Sequence, residues 1–391
     1  MTALDVALVL PNPPLPFGNA AARWYSVLLD GLVARGHRVH AFVACETSAE
    51  RDQTEAALRD VDAEVRLYPY PSRTGLGSKM RTLREPYGYV FSPELRSDVK
   101  QRMAAGCDVL HLEQLWAGWV GWDHAERALL HIHYLFEIDL AQAPVLSTKD
   151  RMLRGVTGRA EQRLLRHYPT ITTLTGRLTD RVQQLAPRAE VSTVPLGLNL
   201  AHYPYTERGP HDPPTVSLIG SFDWYPTVSG AVRLLERLWP EIKRRVPEAR
   251  LQLVGRQARA QLSEYVDLPD VEIHEDVPEI LPYFAAADVL LYAPARGSGM
   301  KVKVLEAMAL GVPVVTTSEG VEGLPAKDGV DAGVADDDDG LIERTVRLLR
   351  DRAEWERVRS AGRRLVETAC DPDLSVGLME QRYAEIVSRS A

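Results

Sequence analysis

The sequence predicts an α/β chain of two doubly wound domains with a C-terminal run of helices, and three observations carry that reading. Short Val/Ile/Leu runs alternate with segments of helical period, the pattern of βαβ units whose strands form parallel sheets covered on both faces. The stretch from Tyr203 to Pro214 holds four prolines and a glycine, so it can continue neither strand nor helix. The 391 residues are 45% apolar and 26% charged, enough to build two buried cores and unlike a disordered chain.

The first half supplies Leu4–Leu10, Val39–Ala44, Glu64–Tyr68, Val109–Leu112, Leu129–His133, Ile171–Leu174 and Val191–Val194 as strands. Between the first two lies a helix over Ala20–Arg35, with Trp24, Val27, Leu28 and Leu32 on one face and Gly36 as its stop. Beyond the proline-rich stretch come strand Val216–Ile219, helix Val228–Val246, strands Leu251–Val254 and Val271–His274, helix Glu279–Ala286, strand Val289–Tyr292, helix Val302–Leu310 and strand Val312–Thr316. The helix over Val228–Val246 rests on Val228, Ala231, Val232, Leu235, Leu238, Trp239 and Ile242, which step by three and four. The remainder reads as helices. The expected organisation is a Rossmann-like domain over 1–205, a second over 206–370, and a terminal helix over 371–391 able to pack back on the first. In such a pair the ligand site is expected where strand C-termini of the two domains face each other across a cleft.

Charge and cysteines narrow the function. Forty-six Lys+Arg against 54 Asp+Glu give a net charge of −8, the wrong sign for generic binding along a nucleic-acid backbone. Cys45, Cys107 and Cys370 are far apart and match no metal-ligand spacing. No uncharged apolar run approaches the length of about 20 residues that crosses a bilayer, and the N-terminal stretch reads as a strand rather than a signal peptide. A cytoplasmic protein is expected.

The chemistry concentrates between Tyr292 and Val315. A strand runs into Gly297-Ser298-Gly299-Met300-Lys301, and a helix opens at Val302. A helix start with unpaired N–H groups and a positive dipole end suits a phosphate, and Lys301 adds charge there. A tight turn without a ligand is the alternative reading. Glu306 lies inside an otherwise apolar helical segment and needs a partner. The ordinary candidate is Lys303, one turn earlier.

The segment Glu306-Ala307-Met308-Ala309-Leu310-Gly311-Val312-Pro313-Val314-Val315, the Gly-Ser-Gly-x-Lys-x-Lys turn at 297–303, and Thr317-Ser318-Glu319-Gly320-Val321-Glu322-Gly323-Leu324 together resemble the GT4-type, group 1 glycosyltransferases of the GT-B fold. Gly220-Ser221-Phe222-Asp223-Trp224-Tyr225-Pro226, Trp239-Pro240, Val246–Arg250, Leu253-Val254-Gly255-Arg256 and Ala286–Val289 add to the likeness, which is thinner in the first half. The resemblance implies a retaining enzyme that moves a sugar from a nucleoside-diphosphate sugar, a UDP-sugar by expectation, to a hydroxyl acceptor that is saccharide, lipid-linked or a small molecule. The donor is a co-substrate, and neither a cofactor nor a metal is implied.

Carried over by position, Glu306 would accept hydrogen bonds from the ribose, and residues 297 to 303 (Gly297, Ser298, Gly299, Met300, Lys301, Val302 and Lys303) would hold donor sugar and diphosphate. Arg256 would neutralise the diphosphate, Gly220 and Ser221 would line the same pocket, and the backbone at Val277 and Pro278 would meet the base. Two departures stand out. Many members carry a glutamate eight residues before the position of Glu306, where this chain has Ser298, and a lysine in the loop that here reads Asp223-Trp224-Tyr225-Pro226.

His131 and His133 stand two apart on a predicted strand; without a third ligand nearby, a metal pair is disfavoured. The family often has a histidine near the donor sugar at the position of His133, and the competing reading is a core histidine with a satisfied hydrogen bond. Asp139 is grouped with Gly18 and Asn19 on the acceptor side, where a plain turn competes for the last two. The Asp336–Asp339 run reads as a helix cap rather than a metal motif. From Arg66 to Arg102, eight Lys/Arg face three acids among several tyrosines, either a solvated surface or a contact for an anionic acceptor or the inner membrane face. A nucleotide-sugar epimerase of the same fold and a catalytically silent nucleotide-sugar binder are the two other readings left open.

Overall fold

The computed structural model describes residues 3–73, 76–294 and 296–390. Of the segments singled out above, Met1 and Thr2 of the N-terminal stretch, Thr74 and Gly75 of the basic segment, and Ala295 of the Tyr292–Val315 stretch lie outside the described residues. The chain forms two units. The first comprises Met1–Glu137, Pro144–Asn199 and Cys370–Ala391, and the second Ile138–Ala143 and Leu200–Ala369.

In the first unit the strands are β1 (Asp5–Leu10), β2 (Arg38–Cys45), β3 (Glu64–Pro69), β4 (Val109–Glu113), β5 (Ala128–Ile132), β6 (Thr170–Thr173) and β7 (Glu190–Thr193). They form one sheet in the order β3-β2-β1-β4-β5-β6-β7, and every pair is parallel. All six residues of β1 are buried, as expected of a strand covered by helices on both faces, which reads as a continuous apolar run. The helix Ala20–Ala34 opens on Asn19, whose side chain accepts from the Ala22 N–H, and buries Trp24, Tyr25, Leu28 and Leu32. The helix Pro372–Ser390 belongs to this unit, with Val376, Met379, Tyr383 and Ile386 fully buried.

In the second unit β8 (Thr215–Ile219), β9 (Arg250–Gly255), β10 (Val271–Glu275), β11 (Val289–Tyr292), β12 (Val314–Thr316) and β13 (Gly333–Val334) form a second parallel sheet in the order β10-β9-β8-β11-β12-β13. Strand order reverses between β8 and β11, and between β1 and β4 in the first sheet. Outside the carboxyl ends at such a switch point is where open α/β sheets bind ligands.

Several elements differ from expectation for identifiable reasons. The single helix expected over Val228–Val246 is a helix Tyr225–Arg233, a π-helical turn Leu234–Leu238 and a helix Trp239–Arg245. Pro240 has no N–H and its ring would strike the carbonyl one turn earlier, which widens the helix there. β12 begins at Val314 rather than Val312, since Pro313 cannot donate to the ladder. β5 ends at Ile132, one residue before His133. The two-residue β13 was too short to show as a period. The chain passes from one unit to the other between Asn199 and Leu200, ahead of the 205/206 division placed in the proline-rich stretch. Tyr203 and Tyr205 are already part of the second unit: the Tyr203 hydroxyl bonds Glu306, and the Arg359 guanidinium lies 4.3 Å over the Tyr205 ring. No helix among the described residues is long and apolar enough to cross a membrane.

Candidate functional site

The residues picked out for the donor all lie past strand C-termini of the second unit. Gly220 and Ser221 follow β8, Arg256 follows β9, Val277 and Pro278 follow β10, and the Gly297–Lys301 turn follows β11. The helix Val302–Ala309 opens at Lys301 with no side-chain cap, and Gly299 takes a φ of +71° that favours glycine. The N–H groups of that first turn are therefore unclaimed by any capping side chain.

Two lysines stand at this helix start. The buried Lys301 ammonium donates to the carbonyls of Ser298 (3.2 Å) and Gly299 (2.5 Å) and lies 3.4 Å from the Glu322 carboxylate. Lys303 donates to Thr227 Oγ1 (3.0 Å) and sits 4.2 Å over the Tyr292 ring, with no carboxylate paired to it among the described residues. Loss of water, followed by the charge of Lys301, brings the Lys303 ammonium down to about 7. Lys303 also lies along Gly220, where an added Cβ would press on its Cε and make the side chain shift.

Glu306 is 4% exposed, and its Oε1 accepts from the Tyr203 hydroxyl at 3.0 Å. Lys303, the partner expected from helical spacing, points instead to Thr227 and Tyr292. Arg256 is more exposed and is tied down, donating to Asp223 (2.5 Å) and to Ser221 Oγ (3.3 Å), while Ser221 donates to Asp223 at 2.6 Å. The acid that replaces a lysine in this loop therefore neutralises Arg256, while Lys303 has no acid paired to it among the described residues. Val277 is half-buried and Pro278 exposed.

Asp139 was grouped on the acceptor side; in the structure it belongs to the second unit. Its Oδ1 accepts from both the Ser298 N–H and the Ser298 hydroxyl, each at 2.6 Å, and burial pushes its carboxyl up to about 6. This contact spans 159 positions, so no local pattern could have shown it.

The first unit holds a separate buried cluster at the ends of β4 and β5. Glu113, fully buried, accepts from the Trp24 indole (3.0 Å) on Oε1 and bonds His133 Nε2 (2.7 Å) on Oε2. His111 Nε2 lies 3.1 Å from Oε1 without hydrogen-bond geometry, and its Nδ1 bonds the Tyr383 hydroxyl at 2.5 Å. Burial by itself would raise the Glu113 carboxyl, but His131, His111 and His133 outweigh it and hold the group well below the usual carboxylate range. His131 is pulled down to about 3, mainly by burial; its Nδ1 bonds Thr172 Oγ1 (2.8 Å) and its buried Nε2 has no hydrogen-bond partner.

The expectation that His131 and His133 lack a third ligand is corrected here. Glu113 supplies one, with ligand atoms of the three residues within 4.8 Å of one another. Sequence reading missed Glu113 because strand pairing brings it there from β4; an acid ending an apolar strand was the available signal. Both oxygens of Glu113 are already taken by Trp24 and His133, so the cluster as it stands is a hydrogen-bonded network.

Asn19 caps the Ala20–Ala34 helix, accepting from the Ala22 N–H at 2.9 Å, and Gly18 turns the chain before it with φ +89°. Both are exposed. Asp337 caps the helix Asp338–Arg350 through the Gly340 N–H at 2.7 Å. In the basic segment Arg66 pairs with Glu64 and Asp98, Arg96 with Glu85 and Arg102 with Asp5.

Two doubly wound parallel units of this kind match the GT-B fold of solved glycosyltransferases. The family model described as glycosyl transferases group 1 matches residues 213–351, and that of the glycosyl transferase 4-like domain matches residues 21–197. The chain belongs to the group 1 glycosyltransferases. No curated protein matches it. Among solved structures, it is similar to sucrose-phosphate synthase from Thermosynechococcus elongatus at 18% identity over 98% of this chain and 99% of that one, with a TM-score of 0.70. Anabaena Alr3699/HepE in complex with UDP-glucose matches at 15% identity, 98% and 100% coverage and TM-score 0.65. WaaG, a glycosyltransferase involved in lipopolysaccharide biosynthesis, matches at 18% identity, 97% and 99% coverage and TM-score 0.63.

Proposed function

We propose that this glycosyltransferase moves a hexosyl group from a UDP-sugar to a hydroxyl acceptor (a saccharide, a lipid-linked sugar or a small molecule) with retention of configuration. The observation that carries the reading is Glu306, a buried acid held by Tyr203 on the helix whose uncapped start bears Lys301 and Lys303. The acid accepts from the ribose hydroxyls. The helix start and Lys303 neutralise the diphosphate, and the same groups stabilise the charge that grows on it as the sugar leaves. Arg256 reaches the diphosphate by exchanging Asp223 for it. With cations supplied by side chains, the departure of the nucleotide calls for no metal. The Anabaena relative bound to UDP-glucose supports uridine and a hexose on the donor.

The test is thermal unfolding of the protein and of Glu306→Ala against UDP, GDP, dTDP and ADP and their sugar conjugates. UDP and a UDP-sugar at 100 times their dissociation constants should add about 2.7 kcal/mol of stability. Glu306→Ala should weaken them by about 1–3 kcal/mol, the loss of hydrogen bonds to a charged group. Stabilisation by another nucleotide alone, or an unchanged affinity in the variant, overturns the reading.

A further inference from the structure

Within the first unit, parallel pairing sets Glu113 at the end of β4 opposite His131 of β5, and His133 follows two positions later. Ligand atoms of these three side chains lie within 4.8 Å of one another, the one such group among the described residues. Glu113 and His131 are wholly buried. The proton on His131 is placed by a bond outside the group. Thr172 Oγ1 turns its single proton toward Met379 Sδ at 4.0 Å, so in its 2.8 Å contact with His131 Nδ1 the nitrogen donates. Neutral His131 then keeps a bare lone pair on Nε2, and that buried atom has no hydrogen-bond partner.

A buried lone pair beside a carboxylate is two acceptors with no donor between them, a costly arrangement that a cation relieves. The ligands are also braced from behind as metal ligands are: His131 by Thr172, and Glu113 Oε1 by the Trp24 indole at 3.0 Å. Two imidazoles and a carboxylate suit zinc and similar borderline ions, whereas magnesium and calcium prefer all-oxygen sets. Bonds of about 2.1 Å put the ligand atoms of a tetrahedral ion about 3.4 Å apart. That spacing falls between the 2.7 Å of the Glu113–His133 contact and the 4.8 Å that bounds the group. His133, half-buried on the turn beyond β5, is the ligand free to adjust.

We propose that Glu113 Oε2, His131 Nε2 and His133 Nε2 bind one zinc-class divalent ion in the first unit. The ion takes the place of the His133 Nε2 proton, which passes to Nδ1 or to solvent, while Trp24 keeps its bond to Glu113 Oε1. Three protein ligands leave a fourth position for a water molecule. The site is built from residues of the first unit alone and does not depend on the donor-site reading given for the second.

Titration of the chelator-treated, untagged protein with Co²⁺ reads the site through its visible absorption, which is intense when the ion is four-coordinate. One equivalent should develop the bands, and one equivalent of Zn²⁺ should abolish them. Thr172→Val removes only the bond behind His131 and should weaken binding about tenfold. His131→Leu removes the lone pair, keeps a side chain of similar size, and should cost more than the roughly 100-fold that losing an outer partner costs at most. X-ray absorption of the zinc-loaded unaltered protein needs no variant and should show two imidazoles in an all-light-atom shell. The proposal is overturned by an absence of bands at one equivalent, or by fewer than two imidazoles around the zinc. An affinity that neither variant changes overturns it too, since it marks an adventitious ion only.

Discussion

An ammonium group stripped of water beside Gly220, with a second lysine close by and no acid paired to it among the described residues, is held in its charged form weakly; that is why Lys303 sits at about 7. In the proposed donor site a diphosphate would supply the missing negative charge and bind the protonated lysine. Affinity for a UDP-sugar, whose phosphates do not titrate in this range, should therefore fall as the pH rises through about 7. Lys303→Met should remove that pH dependence and weaken binding by about 2 kcal/mol; calorimetry between pH 6 and 9 reads both, and a flat profile in the unaltered protein contradicts the assignment. The lysines, the Gly-Ser-Gly turn and Glu306 were all legible in the sequence as one motif. Their division of labour was not. Whether Arg256 or Lys303 is the free cation depends on Asp223 meeting Arg256 at 2.5 Å, a contact made by two loops that follow different strands.

The ends of β4 and β5 show how an element can place a group without catalysing anything itself. Parallel pairing sets Glu113 opposite His131, and the turn beyond β5 swings His133 onto the same carboxylate. Removing the carboxylate leaves the Trp24 indole N–H and His133 Nε2 without their hydrogen-bond partner. Glu113→Ala should cost about 3 kcal/mol in denaturant unfolding. His131 adds a pH signature. Its pKa is about 3 in the folded chain and near 6.5 when unfolded, so the unfolded state takes up the proton first as the pH drops. Stability due to this residue is complete above about 6.5 and declines toward pH 3, at up to about 1.4 kcal/mol per pH unit. His131→Asn should flatten unfolding free energy against pH between 6 and 5; an unchanged slope would show that His131 takes up no extra proton on unfolding. At this level the strands and most helices were visible as periods of two kinds. The misses were the widened turn before Pro240, the late start of β12 and the two-residue β13, where proline chemistry or brevity overrides periodicity.

The first unit is completed by the last helix of the chain, Pro372–Ser390, which brings the fully buried Tyr383 to His111 and Glu380 to His37. Tyr383→Ala removes a large side chain and leaves His111 Nδ1 without a partner. It should lower stability by about 3–5 kcal/mol, seen as an earlier unfolding transition, while UDP affinity at pH 7 and 25 °C stays unchanged because the proposed donor residues belong to the second unit. Loss of UDP binding in the folded variant would contradict that division. What the chain's own order of residues settled was the class of fold, the two sheets and the nucleotide-side motif, since strand and helix periods and a turn before a helix are written in neighbouring residues. What required the folded molecule was every partner of a charged group: Tyr203 for Glu306, Asp223 for Arg256, Glu113 for His133 and Asp139 for Ser298. The reason is physical. A buried charge is held by whatever donor or counter-charge the strand order carries to it, and strand order joins residues that no local pattern connects.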